Sequence, residues 1–369
     1  MKLLHFSDTH LGFSEYNKID PESGLNQREQ DFYVAWQQVI QGIFLHKPDV
    51  IIHAGDLFHT PRPSNRAIHV ALESIQKISD AGIPLILISG NHEPPRIRTT
   101  GSIFESIDLF PNVYAAYQSR YEKFTVNNVD FHCLPHCSLT EEMDASYEAL
   151  VKGVTGDANV LISHGAWGGK EYGMGEFNEQ RLPDPENLTG KAFNYIALGH
   201  YHRYVAVKEN ACYCSSTERT SLNEHDSTCG YLIVDFESGE RTYHEIETRA
   251  MIKSPAIDCA GMSTADIYQR LEDLADEKIK EAIVQIQLTN IEQDAFLKLE
   301  MRHIDDMFRD AFILEKQLMR KSDAAGASQT TVKIEALPLE FERYINALEN
   351  TELEKERLQK LGAFYLDGA

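Results

Sequence analysis

Polar residues of the kind that bind metals directly follow five apolar segments in the first 202 residues of the chain. The five fragments are Asp8-Thr9-His10, Gly55-Asp56-Leu57-Phe58-His59, Gly90-Asn91-His92-Glu93, Ser163-His164-Gly165 and Gly199-His200-Tyr201-His202. Short apolar runs of this kind are typical of buried strands. Since open α/β sheets bind ligands at the carboxyl ends of their strands, we expect the polar residues to meet at one edge of a sheet.

The spacing within the fragments favours a metal site. Asp8 and His10 are two residues apart, as are His200 and His202, so each pair can point to the same side of an extended chain. A single Asp-x-His is common in solvated loops, whereas the ordered set of five fragments is not. Carboxylate, amide and imidazole donors without cysteine suit Mn²⁺, Fe²⁺ or Zn²⁺ better than a structural zinc site rich in thiolates.

The pattern of apolar residues predicts an α/β fold. Residues 27–46 and 65–81 read as amphipathic helices, and each separates two segments that carry the polar fragments. Strands become more frequent after residue 129, and we expect them at 160–163, 195–198, 204–207 and 231–236. This order predicts a layered sandwich of two sheets flanked by helices, over residues 1–253.

A second pattern begins near Ser254-Pro255. Strands are predicted at 255–259, 282–288 and 311–318, and helices at 263–276 and 292–302, which gives a smaller α/β domain over residues 254–320. Residues 321–331 are rich in small and polar residues, as in a flexible linker.

The segment 332–369 reads as a short helical pair. Phe341, Tyr344, Ile345 and Leu348 form an apolar stripe with helical spacing, and a second helix carries Leu358. A helical pair beyond a linker has little core of its own, so its stripe either binds a partner surface or folds back on its own chain.

Charge and composition restrict the partners. The net charge of −22 opposes strong autonomous binding to nucleic acid, because phosphate contacts come from lysine and arginine. Arg62, Arg66, Arg96 and Arg98 follow the polar fragments and are candidates for contacting DNA; the alternative is that they are solvated surface. No apolar stretch is long enough to span a bilayer, and no signal-peptide pattern is present, so we expect a cytoplasmic protein, associated with the nucleoid when bound to DNA.

Together the five fragments resemble the signature of the calcineurin-like metallophosphoesterases. The stretches GDLFHTPRPS and GNHE further resemble the family of DNA double-strand-break repair nucleases called meiotic recombination eleven in archaea and eukaryotes and SbcD in bacteria. The resemblance covers roughly residues 1–250. One departure is Cys214-Ser215-Ser216, which stands where family members usually carry Pro-Gly-Ser.

This resemblance implies a site with two metal ions. One is expected on Asp8, His10, Asp56 and His202, and the other on Asp56, Asn91, His164 and His200, with Asp56 as the bridge. The resemblance also implies that His92 contacts the scissile phosphate and assists the leaving oxygen. His59 either supports the phosphate, orients a ligand or is an ordinary loop histidine. We expect two Mn²⁺ per subunit, with Mg²⁺, Fe²⁺ and Zn²⁺ as alternatives.

The resemblance further implies a homodimeric, Mn²⁺-dependent 3′→5′ exonuclease and single-strand endonuclease that processes DNA ends. Its domain 254–320 would cap the active site, and its helical tail would bind the coiled-coil base of an SMC-like ABC ATPase of the SbcC type. One alternative is a metallophosphoesterase acting on small phosphodiesters or phosphoproteins. Another is a non-catalytic protein that tethers DNA ends or serves as a scaffold for the ATPase.

Overall fold

The computed structural model describes residues 1–95, 98–168 and 179–321, with no description of the side chain of Arg98. Arg96, most of the expected linker and the whole tail segment 332–369 lie outside the described residues. The chain divides into two compact units, of which the first contains Met1–Pro255, Leu271–Ile286 and Met301–Lys316. The second contains Ala256–Arg270, Gln287–Glu300 and the described residues from 317 onward. The domain boundary expected at 253/254 stays a prediction.

The strands up to residue 253 are β1 (Lys2–Phe6), β2 (Val50–His53), β3 (Leu85–Ile88), β4 (Val113–Ala116), β5 (Glu122–Val126), β6 (Val129–Leu134), β7 (Asn159–His164), β8 (Ala166–Trp167), β9 (Arg181–Leu182), β10 (Tyr195–Gly199), β11 (Tyr204–Lys208), β12 (Ala211–Cys214), β13 (Gly230–Asp235), β14 (Arg241–Glu245) and β15 (Met251–Lys253). The helices there are α1 (Gln27–His46), α2 (Asn65–Asp80), α3 (Phe104–Ile107), α4 (Thr140–Gly153) and α5 (Pro185–Thr189). Short 3₁₀ turns occur at Arg98–Thr100 and Leu222–Glu224.

Two six-stranded sheets form the core of the first unit. The first has the order β14-β13-β1-β2-β3-β4, and its strands β1 to β4 are parallel. The second has the order β11-β12-β10-β7-β6-β5, with β6, β7, β10 and β12 parallel. Apolar side chains of both sheets pack together in one cluster, which includes Ile52 and Ile86 from the first sheet and Val160 and Ile162 from the second. The predicted two-sheet α/β core is therefore confirmed.

Helices cover the outer face of the first sheet. In α1 the residues Phe32, Trp36, Val39 and Ile43 are buried, spaced three or four residues apart as on one helix face. The side chain of Asn26 caps this helix by accepting hydrogen bonds from the backbone N–H of residues 28 and 29. Both long helices begin at the predicted residues, and they separate the strands β1, β2 and β3 as expected.

The remaining elements are β16 (Ile257–Asp258), α6 (Thr264–Glu272), a 3₁₀ turn (Glu277–Ile279), β17 (Ile283–Ile291), α7 (Gln293–Lys298), α8 (Met301–Met307) and β18 (Ile313–Arg320). Strand β17 pairs in parallel with β15 at Met251 and Ile283, and with β16 at Ile257 and Leu288. It also pairs with β18. Within the described part of the chain, every helix is too short or too polar to cross a bilayer.

Candidate metal centre

All seven expected metal ligands lie at or just after the carboxyl ends of strands. Asp8 and His10 follow β1, Asp56 follows β2 and Asn91 follows β3, which are neighbours in the first sheet. In the second sheet, His164 ends β7, while His200 and His202 follow the adjacent strand β10. Because the carboxyl ends of these parallel strands share one edge of the sandwich, the seven side chains meet there.

Asp56 lies at the centre of the group. Its Oδ2 is 3.2 Å from Nε2 of His164 and 3.8 Å from Nε2 of His10. Its Oδ1 accepts a hydrogen bond of 3.0 Å from the backbone N–H of His92, which fixes the carboxylate. A Cβ atom on Gly90 would lie 2.2 Å from the same Oδ1, so only glycine fits at this position. Asp56 is therefore the side chain that two neighbouring ligand sets can share.

The first set is Asp8, His10 and His202. Their ligand atoms all lie within 4.8 Å of one another. The Nε2 atoms of His10 and His202 are 3.1 Å apart, and Nε2 of His202 is 3.7 Å from Oδ1 of Asp8. In addition, Nδ1 of His10 is buried and has no hydrogen-bond partner among the described residues.

The second set is Asn91, His164 and His200. Oδ1 of Asn91 is 2.9 Å from Nε2 of His164 and 3.1 Å from Nδ1 of His200. Like the first set, it brings oxygen and nitrogen lone pairs together in a buried space. The donor chemistry of both sets, which contains carboxylate, amide and imidazole groups, fits divalent cations of borderline hardness.

The backbone at the site is strained. Asp8, His10, Asp56 and His200 all have positive φ, at 52°, 42°, 56° and 98°. Residues other than glycine avoid this left-handed region, at a cost of about 1–3 kcal/mol each. Such strain concentrates at functional sites, where the surrounding structure has to hold the residues in place.

Two carboxylates that are not among the seven expected ligands contact two of the histidine rings. Oε1 of Glu224 is 3.0 Å from Nδ1 of His202, and Oε1 of Glu179 is 2.7 Å from Nε2 of His200. The backbone oxygen of Ala54 is 2.8 Å from Nδ1 of His164. Metal-binding histidines are typically oriented by such contacts at their second ring nitrogen. Sequence reasoning missed both glutamates, because no local motif joins them to the histidines 22 and 21 residues away.

Glu93 was also missed as a functional residue, although it belongs to the third fragment. It is buried, and its two oxygens accept hydrogen bonds from the backbone N–H groups of Phe58 (2.9 Å) and Gly90 (2.6 Å). Glu93 therefore ties the loop that carries Asp56 to the loop that carries Asn91. Its position two residues after Asn91 was the sequence feature that could have identified it.

The charged groups of the site shift the pKa values of one another. Burial by itself lowers the pKa of His164, but the carboxylate of Asp56 outweighs burial and raises this pKa to about 10. Burial likewise opposes the charged form of His202, yet Glu224 raises its pKa to about 9. Burial favours neutral Asp56, but His164 and other nearby imidazoles hold its pKa well below the ordinary value. The carboxylates thus favour protonated imidazoles when no cation is bound, and a divalent cation would replace those protons.

His92 and His59 lie on the solvent side of this group. The side chain of His92 is 25% exposed, and its Nε2 is 3.9 Å from Oδ2 of Asp56. Its Nδ1 is 2.8 Å from the backbone oxygen of His59, and the two rings are 5.1 Å apart. These side chains border an open cavity of about 200 Å³ together with His10, Phe13, Asp56, Asn91, His200, His202 and Thr220. A substrate group in this cavity would meet His92.

The other expected site residues have different positions. Arg62 and Arg66 are exposed, and their contact with DNA stays a prediction. Arg96, the side chain of Arg98 and the tail residues Phe341, Tyr344, Ile345, Leu348 and Leu358 lie outside the described residues. Ser215, where the family usually has glycine, keeps a positive φ of 77°. Its Oγ is 2.6 Å from the backbone oxygen of Thr228 and 3.3 Å from that of His202.

Comparison with known proteins finds several curated relatives of this chain. Among curated relatives, the DNA double-strand break repair protein Mre11 of Haloferax volcanii is 29% identical over 78% of this chain and 61% of its own length. The protein of the same name from Thermoplasma acidophilum is 28% identical over 75% of this chain and 73% of its own length. The one from Sulfurisphaera tokodaii is 32% identical over 54% of this chain and 49% of its own length. The chain thus spans about half to three quarters of the length of these relatives.

Residues 1–204, more than half of the chain, match the model of the calcineurin-like phosphoesterases. Proteins of this family bind a dinuclear metal site, for which the clustered carboxylates and imidazoles described above are candidate ligands. This chain is therefore a member of the calcineurin-like phosphoesterase family, whose enzymes hydrolyse phosphoesters.

Proposed function

We propose that this chain is a Mn²⁺-dependent DNA nuclease that processes double-strand breaks, with 3′→5′ exonuclease and single-strand endonuclease activity. The observation that carries the proposal is the division of six side chains into two sets around the shared Asp56, with His92 facing the open cavity beside them. DNA as the substrate is supported by the relatives, whose names assign them to double-strand break repair.

In this proposal Asp8, His10, Asp56 and His202 hold one cation, and Asp56, Asn91, His164 and His200 hold the other. Asp56 is suited to the shared position because its Oδ2 faces His164 of one set and His10 of the other, so its negative charge would serve both cations. When bound, the two cations supply Lewis-acid chemistry for phosphodiester hydrolysis. Mn²⁺ suits the mixture of oxygen and nitrogen donors, while Mg²⁺, Fe²⁺ and Zn²⁺ are the alternatives.

His92 acts on the leaving oxygen. Its Nδ1 lies 2.8 Å from the backbone oxygen of His59, so Nδ1 carries the proton and donates to that oxygen. This contact turns Nε2 towards the cavity, where the protonated ring can donate to the departing oxygen as a general acid. His59 thus positions His92 through its backbone, and its own ring borders the same cavity.

The parts of the chain outside the metal centre complete the proposal. The segment 254–320 restricts access to the site, and Arg62, Arg66, Arg96 and Arg98 contact the DNA backbone. The helical tail binds an SMC-like coiled-coil ATPase of the SbcC type, and two chains form a homodimer. A basic partner surface would strengthen DNA binding, because the net charge of −22 repels the phosphates of DNA.

The test is cleavage of end-labelled duplex and single-stranded DNA with Mn²⁺, with Mg²⁺ and with a chelator. Cleavage should require Mn²⁺ and stop with the chelator. His92→Gln should lower the rate by about 100-fold or more, since general acid catalysis contributes that much, while leaving Mn²⁺ binding intact. Exposed His69→Gln is the matched control and should cleave like the wild type.

Two results would contradict this account. Equal rates for His92→Gln and the wild type would remove His92 from the mechanism. An absence of DNA cleavage, alongside turnover of bis(4-nitrophenyl) phosphate, would instead indicate a phosphoesterase for small phosphodiesters.

A further inference from the structure

A second cleft, of about 250 Å³, opens beside the metal centre. One wall contains Pro94 and Pro95, which directly follow the fragment that carries Asn91 and His92. Since Pro94 is two residues beyond His92, their Cα atoms are at most about 7 Å apart. The cleft therefore begins within about the length of one nucleotide from His92, which we place at the leaving oxygen.

The opposite walls of the cleft belong to the same edge of the sandwich. Residues 117–119 follow the carboxyl end of β4, and the backbone N–H of Ser89 bonds to the oxygen of Ala116 at 2.9 Å. Ser138 follows β6, and the N–H of His136 bonds to the oxygen of Ser89 at 3.0 Å. These contacts place β4 and the segment after β6 on either side of the strand that leads to Asn91.

The described part of the cleft lining differs from that of a phosphate site. Among the described residues that line it, Glu105 is the only charged side chain. A carboxylate repels a phosphate, and it accepts hydrogen bonds from amino and ring N–H groups. The backbone N–H of Ser102 donates to Oε1 of Glu105 at 3.2 Å, which orients the carboxylate.

The other lining residues suit a planar, polar ring. Tyr117 offers an aromatic side chain, whose own ring is supported by Phe104 at a centroid distance of 5.8 Å. Gln118 is exposed and has both a donor and an acceptor, and Ser138 adds a hydroxyl group. Aromatic and amide groups of this kind bind nucleobases by stacking and by hydrogen bonds to the base edge.

We propose that this cleft is a nucleobase subsite, which holds the base of a nucleotide next to the scissile phosphate in a single strand. Glu105 and Gln118 bind the edge of the base, and Tyr117 contacts its face. The subsite rests on the proposed nuclease function, because a nucleic acid strand places a base beside the cleaved phosphodiester. It would let an acidic chain bind a single strand through its bases in addition to its phosphate contacts.

The test compares kcat/KM for a short single-stranded oligonucleotide with kcat/KM for the same oligonucleotide carrying abasic residues around the cleaved position. For the wild type, removal of the bases should lower kcat/KM by about 5-fold or more, mainly by raising KM. The variant Glu105→Ala/Gln118→Ala should cleave the normal oligonucleotide more slowly than the wild type does, because it loses the groups that bind the edge of the base. Its activity should depend less on the bases, since only the contact with Tyr117 remains.

The matched control is Gln37→Ala/Glu148→Ala, which makes the same substitutions at exposed positions outside the cleft. It should discriminate between the two oligonucleotides like the wild type. The subsite is wrong if the wild type cleaves both oligonucleotides equally, or if the cleft variant discriminates between them as strongly as the wild type.

The small diester bis(4-nitrophenyl) phosphate separates the subsite from the proposed function. If the wild type hydrolyses this diester and neither oligonucleotide, then the nuclease function and the subsite both fail. If it cleaves both oligonucleotides at the same rate, then the nuclease function stands and only the subsite fails.

Discussion

Glu224 shows how one residue away from the five fragments can control the metal centre. It is buried, and it contacts Nδ1 of His202 while accepting hydrogen bonds from the N–H and hydroxyl of Thr220, both at 2.8 Å. The carboxylate therefore has a fixed position from which it orients the His202 ring. This role predicts a change in metal affinity rather than a direct effect on the reacting phosphate.

Glu224→Ala should weaken Mn²⁺ binding by about 10–100-fold, the usual loss when a group that orients a metal-binding histidine is removed. Glu224→Gln should retain part of the affinity, because its amide oxygen can still accept from His202. The measurement is calorimetric titration of metal-free protein with Mn²⁺, with exposed Glu148→Ala as control. Unchanged affinity in Glu224→Ala would show that His202 does not depend on this carboxylate.

At the level of strands and helices, the sequence predicted the elements that carry the site. The apolar runs that become β1, β2, β3, β7 and β10 are each followed by predicted ligands. This one pattern predicted that these segments are strands, that they are parallel and that their carboxyl ends share one edge. The contacts of Glu224 and Glu179 were not predictable, because they depend on how distant loops pack. The way in which residues 256–316 divide between the two compact units was not predictable either, since the pairing partners of β17 are set by tertiary contacts.

The packing of the two sheets predicts how stability depends on pH. His5 on β1 is fully buried, and its Nδ1 is 2.7 Å from the hydroxyl of Tyr195 on β10. Burial lowers the pKa of His5 from 6.5 to about 3. Between pH 6.5 and pH 3 the unfolded chain therefore binds a proton that the folded chain rejects, so the contribution of His5 to stability is lost as pH falls below 6.5.

Each pH unit in this window should lower the free energy of unfolding by about 1.4 kcal/mol through His5. His5→Gln should remove this component, so the difference in stability between wild type and variant should shrink from pH 6 to pH 4. Urea unfolding at several pH values, with exposed His69→Gln as control, measures it. A difference that stays constant over this range would mean that His5 can be protonated in the folded protein.

At the scale of the whole molecule, the negative net charge is the property that most strongly favours a basic partner for DNA binding. The net charge of −22 includes the carboxylates of the metal centre, and two divalent cations would reduce it to about −18. The remaining charge still repels DNA, which supports the proposals that a basic partner contributes to DNA binding and that the chain binds bases as well as phosphates. Hydrolysis by two cations requires that Asp56 be a ligand of both cation sites.

Calorimetric titration of metal-free protein with Mn²⁺ tests that claim most directly. We predict two Mn²⁺ per chain for the wild type. For Asp56→Asn we predict at most one, bound weakly, because the neutral amide lacks the negative charge that both cations would share. A single Mn²⁺ in the wild type, or two Mn²⁺ bound with unchanged affinity in Asp56→Asn, would contradict the shared site.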